Sequence, residues 1–111
     1  MELREFDLHS NQVTAEGFHE LLSCLETNNK VAKIWMAKNP ISNDCDSFKI
    51  IHHFLSCNKT LELLDLSFCE LNEKHAAHIG KGLRGNRYLQ TLNLKGNPIK
   101  NGVIEIAKAF K

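Results

Sequence analysis

Apolar residues recur along the chain in one spacing. Leu3, Phe6, Leu8, Asn11 and Val13 fill the pattern apolar-x-x-apolar-x-apolar-x-x-Asn/Cys-x-apolar. It returns at Val31, Ile34, Met36, Asn39 and Ile41, at Leu61, Leu64, Leu66, Cys69 and Leu71, and at Leu89, Leu92, Leu94, Asn97 and Ile99. The starts lie 28, 30 and 28 residues apart (3 to 31, 31 to 61, 61 to 89). Apolar positions alternating with polar ones predict a short strand with one buried face. One such copy would carry little weight, because alternation is common. Four copies with every position filled predict a repeat architecture.

The second half of each unit predicts a helix. Phe18, Leu21, Leu22 and Leu25 follow the i, i+3, i+4, i+7 spacing of one apolar face. Ala76, Ile79, Gly80 and Leu83 repeat that spacing 58 residues later (18 to 76). The second unit gives Phe48, Ile51, His52 and Leu55, shifted by two, so its two extra residues fall in the loop of Ser42 to Asp46. In the fourth unit Ile104 and Ala107 begin the face before the chain stops, which predicts a short helix. Helix starts carry capping types: Thr14, Ser42 or Asn43, and Asn72. Asn28, Asn58 and Asn86 each stand three residues before the next strand unit. Asparagine tolerates the left-handed conformation that often ends a helix.

Such units must stack. A short strand cannot bury its apolar side alone, so neighbouring strands pair in parallel and the helices cover the inner side. The Asn/Cys position has its own task. Inside the bend after the strand, its side chain can satisfy backbone groups that the turn leaves unpaired. Asn11, Asn39 and Asn97 suit that role. Cys69 is a weaker donor but small enough for the slot.

The unit resembles the ribonuclease-inhibitor-like leucine-rich repeat, most closely over residues 61–71 (LELLDLSFCEL) and 89–99 (LQTLNLKGNPI). That repeat type also occurs in nucleotide-binding innate-immune receptors, in the activating protein of the GTPase Ran, and in cytoskeletal and ciliary proteins. The resemblance covers essentially the whole chain. It implies an α/β solenoid with four short parallel strands on a concave face and helices on a convex face. The expected organisation is a single domain over 1–111, with repeats at approximately 3–30, 31–60, 61–88 and 89–111. The resemblance also implies protein recognition on the concave face.

The residues between the inward positions point out of the sheet. They form three rows: Glu5, Lys33, Leu63 and Thr91; Asp7, Trp35, Asp65 and Asn93; His9, Ala37, Ser67 and Lys95. Trp35, the only tryptophan, is the candidate anchor of a binding surface, because exposed aromatics among charges are favoured at interfaces. The candidate partner-binding set is Trp35, Lys33, Asp7, Asp65, Leu63, Asn93 and Lys95. Phe68 either joins this surface or caps the bend.

Composition narrows the classes. A net charge of +1 argues against a broad basic surface for nucleic acid or an anionic membrane. No stretch approaches the length of a transmembrane span, and the N-terminus shows no secretory signal. Cys24, Cys45, Cys57 and Cys69 form no CxxC pair and read as reduced thiols of the cytoplasm or nucleus.

No chemistry stands out. Cys45, His53 and Cys57 could in principle make a metal site, but the helical phase turns His53 to solvent. His75 and His78, beside Glu73, read as a surface pair. Ser67 and His9 share a row but sit two strands apart, roughly 10 Å at ~4.8 Å per strand, too far for proton transfer. Lys81-Gly-Leu-Arg-Gly85 and Lys95-Gly-Asn97 have glycines but lack the strand–loop–helix grammar of a phosphate loop. Gly80 and Gly82 permit close helix packing, and Gly96 serves the bend.

The leading reading is therefore a non-catalytic, cofactor-free protein-interaction module. A second is a structural repeat fragment of a larger cytoskeletal, ciliary or signalling scaffold. Regulation of a small GTPase is a third, implied by the family alone. Strand one starts at residue 3 with nothing to cover its edge. This predicts a longer array, or open ends that stack on another molecule.

Overall fold

In the computed structural model, residues 4–28 and 30–110 are described. Leu3, the first position of the first copy, and Lys111 lie outside them. Each copy supplies one three-residue strand: β1 (Glu5–Asp7), β2 (Lys33–Trp35), β3 (Leu63–Asp65) and β4 (Thr91–Asn93). They form one parallel sheet in the order β1-β2-β3-β4. Phe6, Ile34, Leu64 and Leu92 stand side by side at mid-strand, as the repeat spacing requires. In the two central units these inward residues are fully buried; Ile34, Met36, Ile41, Leu64, Leu66 and Leu71 are all at 0% exposure. In the outer units Phe6, Leu8, Val13, Leu92, Leu94 and Ile99 are only partly buried, because each has a neighbouring rung on one side alone.

The helices are α1 (Ala15–Leu25), α2 (Cys45–Phe48), α3 (Ile50–Cys57), α4 (Glu73–Arg84) and α5 (Val103–Lys108), the last entered through a 3-10 turn at Lys100–Gly102. They lie side by side against the inner face of the sheet. Phe18, Leu22 and Leu25 of α1 and Ala76, Ile79, Gly80 and Leu83 of α4 are buried, as their spacing predicts. Close approach depends on two glycines of α4. A Cβ on Gly80 would lie 2.7 Å from the Glu105 carbonyl carbon, and one on Gly82 2.8 Å from Leu55 Cβ.

Three expectations about the helices change. The cap of the second unit is Asp44, whose carboxylate accepts from the Asp46 amide at 3.0 Å. Asn43 instead reaches back to the Ala15 amide at 2.7 Å, at the start of α1. The second apolar face includes Phe54, which is buried, whereas His52 is exposed. Gly82 packs against the His52 backbone and leaves the imidazole outside. In the last unit Gly102, Ile106 and Ala109 face inward, while Val103, Ile104 and Ala107 are exposed. The 3-10 turn brings Gly102 so near α4 that a Cβ there would lie 2.6 Å from Ala76 Cβ. That contact sets the helix phase two residues away from the expected one.

The bends follow a two-unit alternation. After each strand one residue takes left-handed backbone: Ser10 (φ 56), Lys38 (φ 61), Phe68 (φ 54) and Gly96 (φ 76). Units one and three add a second, Gln12 (φ 57) and Glu70 (φ 60), where units two and four carry Pro40 and Pro98. Asn39 Oδ1 accepts from the Asn11 and Val13 amides at 3.0 and 2.9 Å, closing the bend of unit one. Its Nδ2 donates to the Leu8 and Met36 carbonyls at 2.8 and 2.9 Å. Asn97 does the same for unit three, accepting from Cys69 and Leu71 and donating to Leu66 and Leu94.

The proline-bearing bends close themselves. The Ile41 and Ile99 amides donate to the Asn39 and Asn97 carbonyls, each at 2.8 Å. Cys69 therefore has less to satisfy in unit two. Its thiol donates to the Met36 carbonyl at 3.1 Å. Burial pushes that thiol above its ordinary pKa and keeps the proton in place.

Asn28, Asn58 and Asn86 do not supply left-handed backbone, since Asn58 for one is extended. Their side chains launch the following strand unit. Asn58 Oδ1 accepts from the Thr60 and Leu61 amides, and Asn86 Oδ1 from Tyr88 and Leu89. The side-chain acceptor, rather than tolerance of the left-handed region, explains the residue at that position.

His75 is not a surface residue. It is 3% exposed and stacks edge-on against Phe48, with ring centroids 4.8 Å apart. Its Nδ1 accepts from the Asn72 amide at 3.0 Å, completing a capping box. Its Nε2 lies 3.1 Å from the Ser42 carbonyl and donates to it. The first bond requires the neutral ring, because a protonated Nδ1 cannot accept; the second can be made by either form. Burial lowers its pKa below the ordinary 6.5, and the Ser42 carbonyl offsets this only in part.

Two outcomes follow. Asn39→Leu strands two amides and two carbonyls near the core, so denaturant titration should find a loss of about 2–3 kcal/mol. Asn11→Ala, at an exposed side chain, should cost a small fraction of that; equal losses would contradict the clamp. For His75, the unfolded chain binds a proton more readily than the fold does. Its contribution is therefore complete above the ordinary value of 6.5 and is lost as pH falls through the lowered folded value. The melting temperature of His75→Gln should depend less on pH below neutrality than that of the wild type. Part of the slope should remain, because burial also lowers His78.

Candidate functional site

The strands that build the core also fix what faces away from the helices. Glu5, Lys33, Leu63 and Thr91 form one row across the open face, and Asp7, Trp35, Asp65 and Asn93 the next. Side chains on neighbouring strands in such a row stand about 5 Å apart. Trp35 is half-buried and holds the middle of the sheet, with Asp7 on one side and Asp65 on the other. The Lys33 ammonium lies 6.0 Å from the indole centroid, at the outer limit of a cation–π contact. Leu63 is half-buried beside Lys33, while Asn93 and Lys95 are exposed towards the β4 edge. The seven residues singled out in the sequence thus share one face. Asp7, Trp35 and Asp65 converge; Asn93 and Lys95 stand apart from them.

A depression of about 220 Å³ opens beside the indole, walled by Asp7, His9, Trp35, Ala37 and Asp65. Ala37 creates it, since a larger side chain next to Trp35 would fill the space. His9 Nδ1 is 2.6 Å from Asp7 Oδ1, and the His9 amide donates to the same oxygen at 3.3 Å. These bonds, the side-chain one first, hold the Asp7 carboxyl below the usual carboxylate range. The Asp-x-His spacing carried the signal for that pair, because alternate strand residues share a face.

Other surfaces offer less. A hollow of about 350 Å³ at the opposite ends of the strands mixes charges, including Lys59 and Glu62, with Tyr88 and Gln90. The Phe68 ring lies against Gly96, where a Cβ would collide with it, and remains 46% exposed. It both covers the bend and borders the surface.

Among the described residues, no three His, Cys, Asp or Glu side chains gather to hold a metal ion. His53 lies 3.9 Å from Cys57 Sγ and 3.6 Å from Glu26, all on the exposed helical side. All four cysteines are free thiols. Among the described residues no helix is long and apolar enough to cross a membrane.

Comparison with known proteins agrees with this architecture. The family described as "Leucine Rich repeat" matches residues 57–73 and 85–107. The human protein named "NACHT, LRR and PYD domains-containing protein 5" is 29% identical over 107 residues, covering 91% of this chain and 8% of its own length. The chain thus spans a small part of that relative. Among solved structures, "Leiomodin-1 Actin-Binding Site 2 (ABS2)" superposes with a TM-score of 0.79 at 23% identity, over 95% of this chain and 62% of the other. At that identity the likeness concerns the fold. Four template copies, one parallel sheet backed by helices, and these matches agree on the fold, an α/β leucine-rich-repeat solenoid.

Proposed function

We propose that the chain is a non-catalytic protein-interaction module of the ribonuclease-inhibitor-like type, working in the cytoplasm as one repeat domain. Its open, concave sheet face engages a partner protein around Trp35. The supporting observation is the half-buried indole at the centre of the sheet, flanked by charges and bordering a depression. An aromatic anchor ringed by polar groups is the usual make-up of an interface hot spot.

The helix in each unit and the 28- to 30-residue period support the subtype. The leiomodin-1 domain of like fold is named as an actin-binding site, which makes actin the first partner to titrate.

A second reading, a structural segment of a longer scaffold, draws support from Val103, Ile104 and Phe110, which are 51%, 54% and 73% exposed on the last helical turns. Such a surface suits stacking against a further repeat or another molecule.

The two readings separate by mutation. Trp35→Ala should weaken a bound partner by about 2 kcal/mol, roughly 30-fold, in isothermal titration. Ile104→Asp should leave that affinity intact. Undiminished binding by a folded Trp35→Ala protein would remove the concave-face reading. Lost binding by Ile104→Asp alone would favour the scaffold.

A further inference from the structure

The position occupied by Trp35 recurs in every unit as Asp7, Asp65 and Asn93. Its local duty is visible at three of them. Asp7 Oδ1 accepts from the His9 amide, Asp65 Oδ1 from Ser67 at 2.9 Å, and Asn93 Oδ1 from Lys95 at 3.0 Å. Each bond closes the turn two residues on. The duty needs one side-chain oxygen and no charge, since Asn93 performs it with an amide. The turns therefore do not need the negative charges of Asp7 and Asp65; the Asp7 carboxylate also takes the His9 ring. The charges occur on β1 and β3, the two strands that flank the indole, and the neutral version on β4.

Each carboxylate uses Oδ1 for its turn, which leaves Oδ2 as an acceptor. Across the indole the two carboxylates are two strand spacings apart, roughly 10 Å. A group seated between them would lie within about 5 Å of both, against an aromatic face. Such a seat favours a positive charge over a neutral or negative one. Lys33 approaches the indole from the row of Glu5 and Leu63, while the depression opens on the side of His9 and Ala37. Lys33 thus meets the indole from outside the depression, and the His9 ring in its wall bonds to Oδ1 of Asp7, not to Oδ2.

We infer that the depression beside Trp35 receives a lysine or arginine side chain of the partner protein, held between the Asp7 and Asp65 carboxylates and against the indole. This rests on the concave-face reading and names the chemistry of its occupant.

Because Trp35 is the only tryptophan, its indole NMR signal and its fluorescence report on this site alone. The probes are N-acetyl-arginine amide, N-acetyl-lysine amide and, as a neutral homologue, N-acetyl-norleucine amide. The cationic probes should shift the indole signal saturably at millimolar concentration, and norleucine should not. Asp7→Asn and Asp65→Asn keep the turn acceptor, so the protein should remain folded. Each should weaken the arginine probe by about fivefold, and the pair should abolish the response. A norleucine shift as large as that of arginine would overturn the inference, as would unchanged affinity in the double Asn variant. With a partner protein in hand, a loss on Trp35→Ala but not on the double Asn variant would keep the concave face and discard the cation. Indifference to both would discard the face itself.

Discussion

Every unit of this fold must turn the chain from strand towards helix beside an apolar core, where backbone amides and carbonyls have no water to bond. Resolving that conflict governs the rest of the molecule. One side chain with both a donor and an acceptor, placed inside the bend, serves two units at once. Asn39 takes the loose amides of unit one while holding the Leu8 and Met36 carbonyls. Asn97 ties unit three to unit four in the same manner. Because these bonds cross between units, they fix the stacking distance as well as the bend. The parallel register and the inward ladders follow from that spacing.

The alternation between units explains which substitutions the repeat accepts. Where proline follows the asparagine, the bend has lost one amide and closes on its own carbonyl. The next unit then needs no full amide side chain, and Cys69 suffices with a single sulfur donor. Units one and three lack proline and reach the same bend through a second left-handed residue. Other inter-unit ties reuse loop atoms. Asn43 caps the helix of the preceding unit, and His75 reads the Ser42 carbonyl across the stack. The two extra residues of the second unit supply both contacts.

With core and bends satisfied from within, the outward side chains of the strands carry little structural duty. That freedom makes their composition informative. A tryptophan with an alanine beside it and aspartates on both neighbouring strands costs solvation and charge repulsion that the fold does not require. The helical side, by contrast, commits its residues to packing: Gly80, Gly82 and Gly102 give up side chains so that α3, α4 and α5 can approach.

The repeat spacing by itself determined the strands, their parallel order and the two outward rows that the strands carry; Ser67, expected in a third outward row, is buried. Side-chain alternation has a period of two, and one register buries every apolar rung. The placement of Asp7, Trp35 and Asp65 in one row was legible for the same reason. Only the tertiary structure decided the helix phases in units two and four, the buried role of His75, and the depression beside Ala37. Each depends on contacts between residues about thirty positions apart, such as His75 with Ser42 or Gly102 with Ala76, whose closeness no local pattern records. The left-handed backbone of Ser10, Lys38 and Phe68 was hidden likewise, because the bend imposes it on residues that do not favour it.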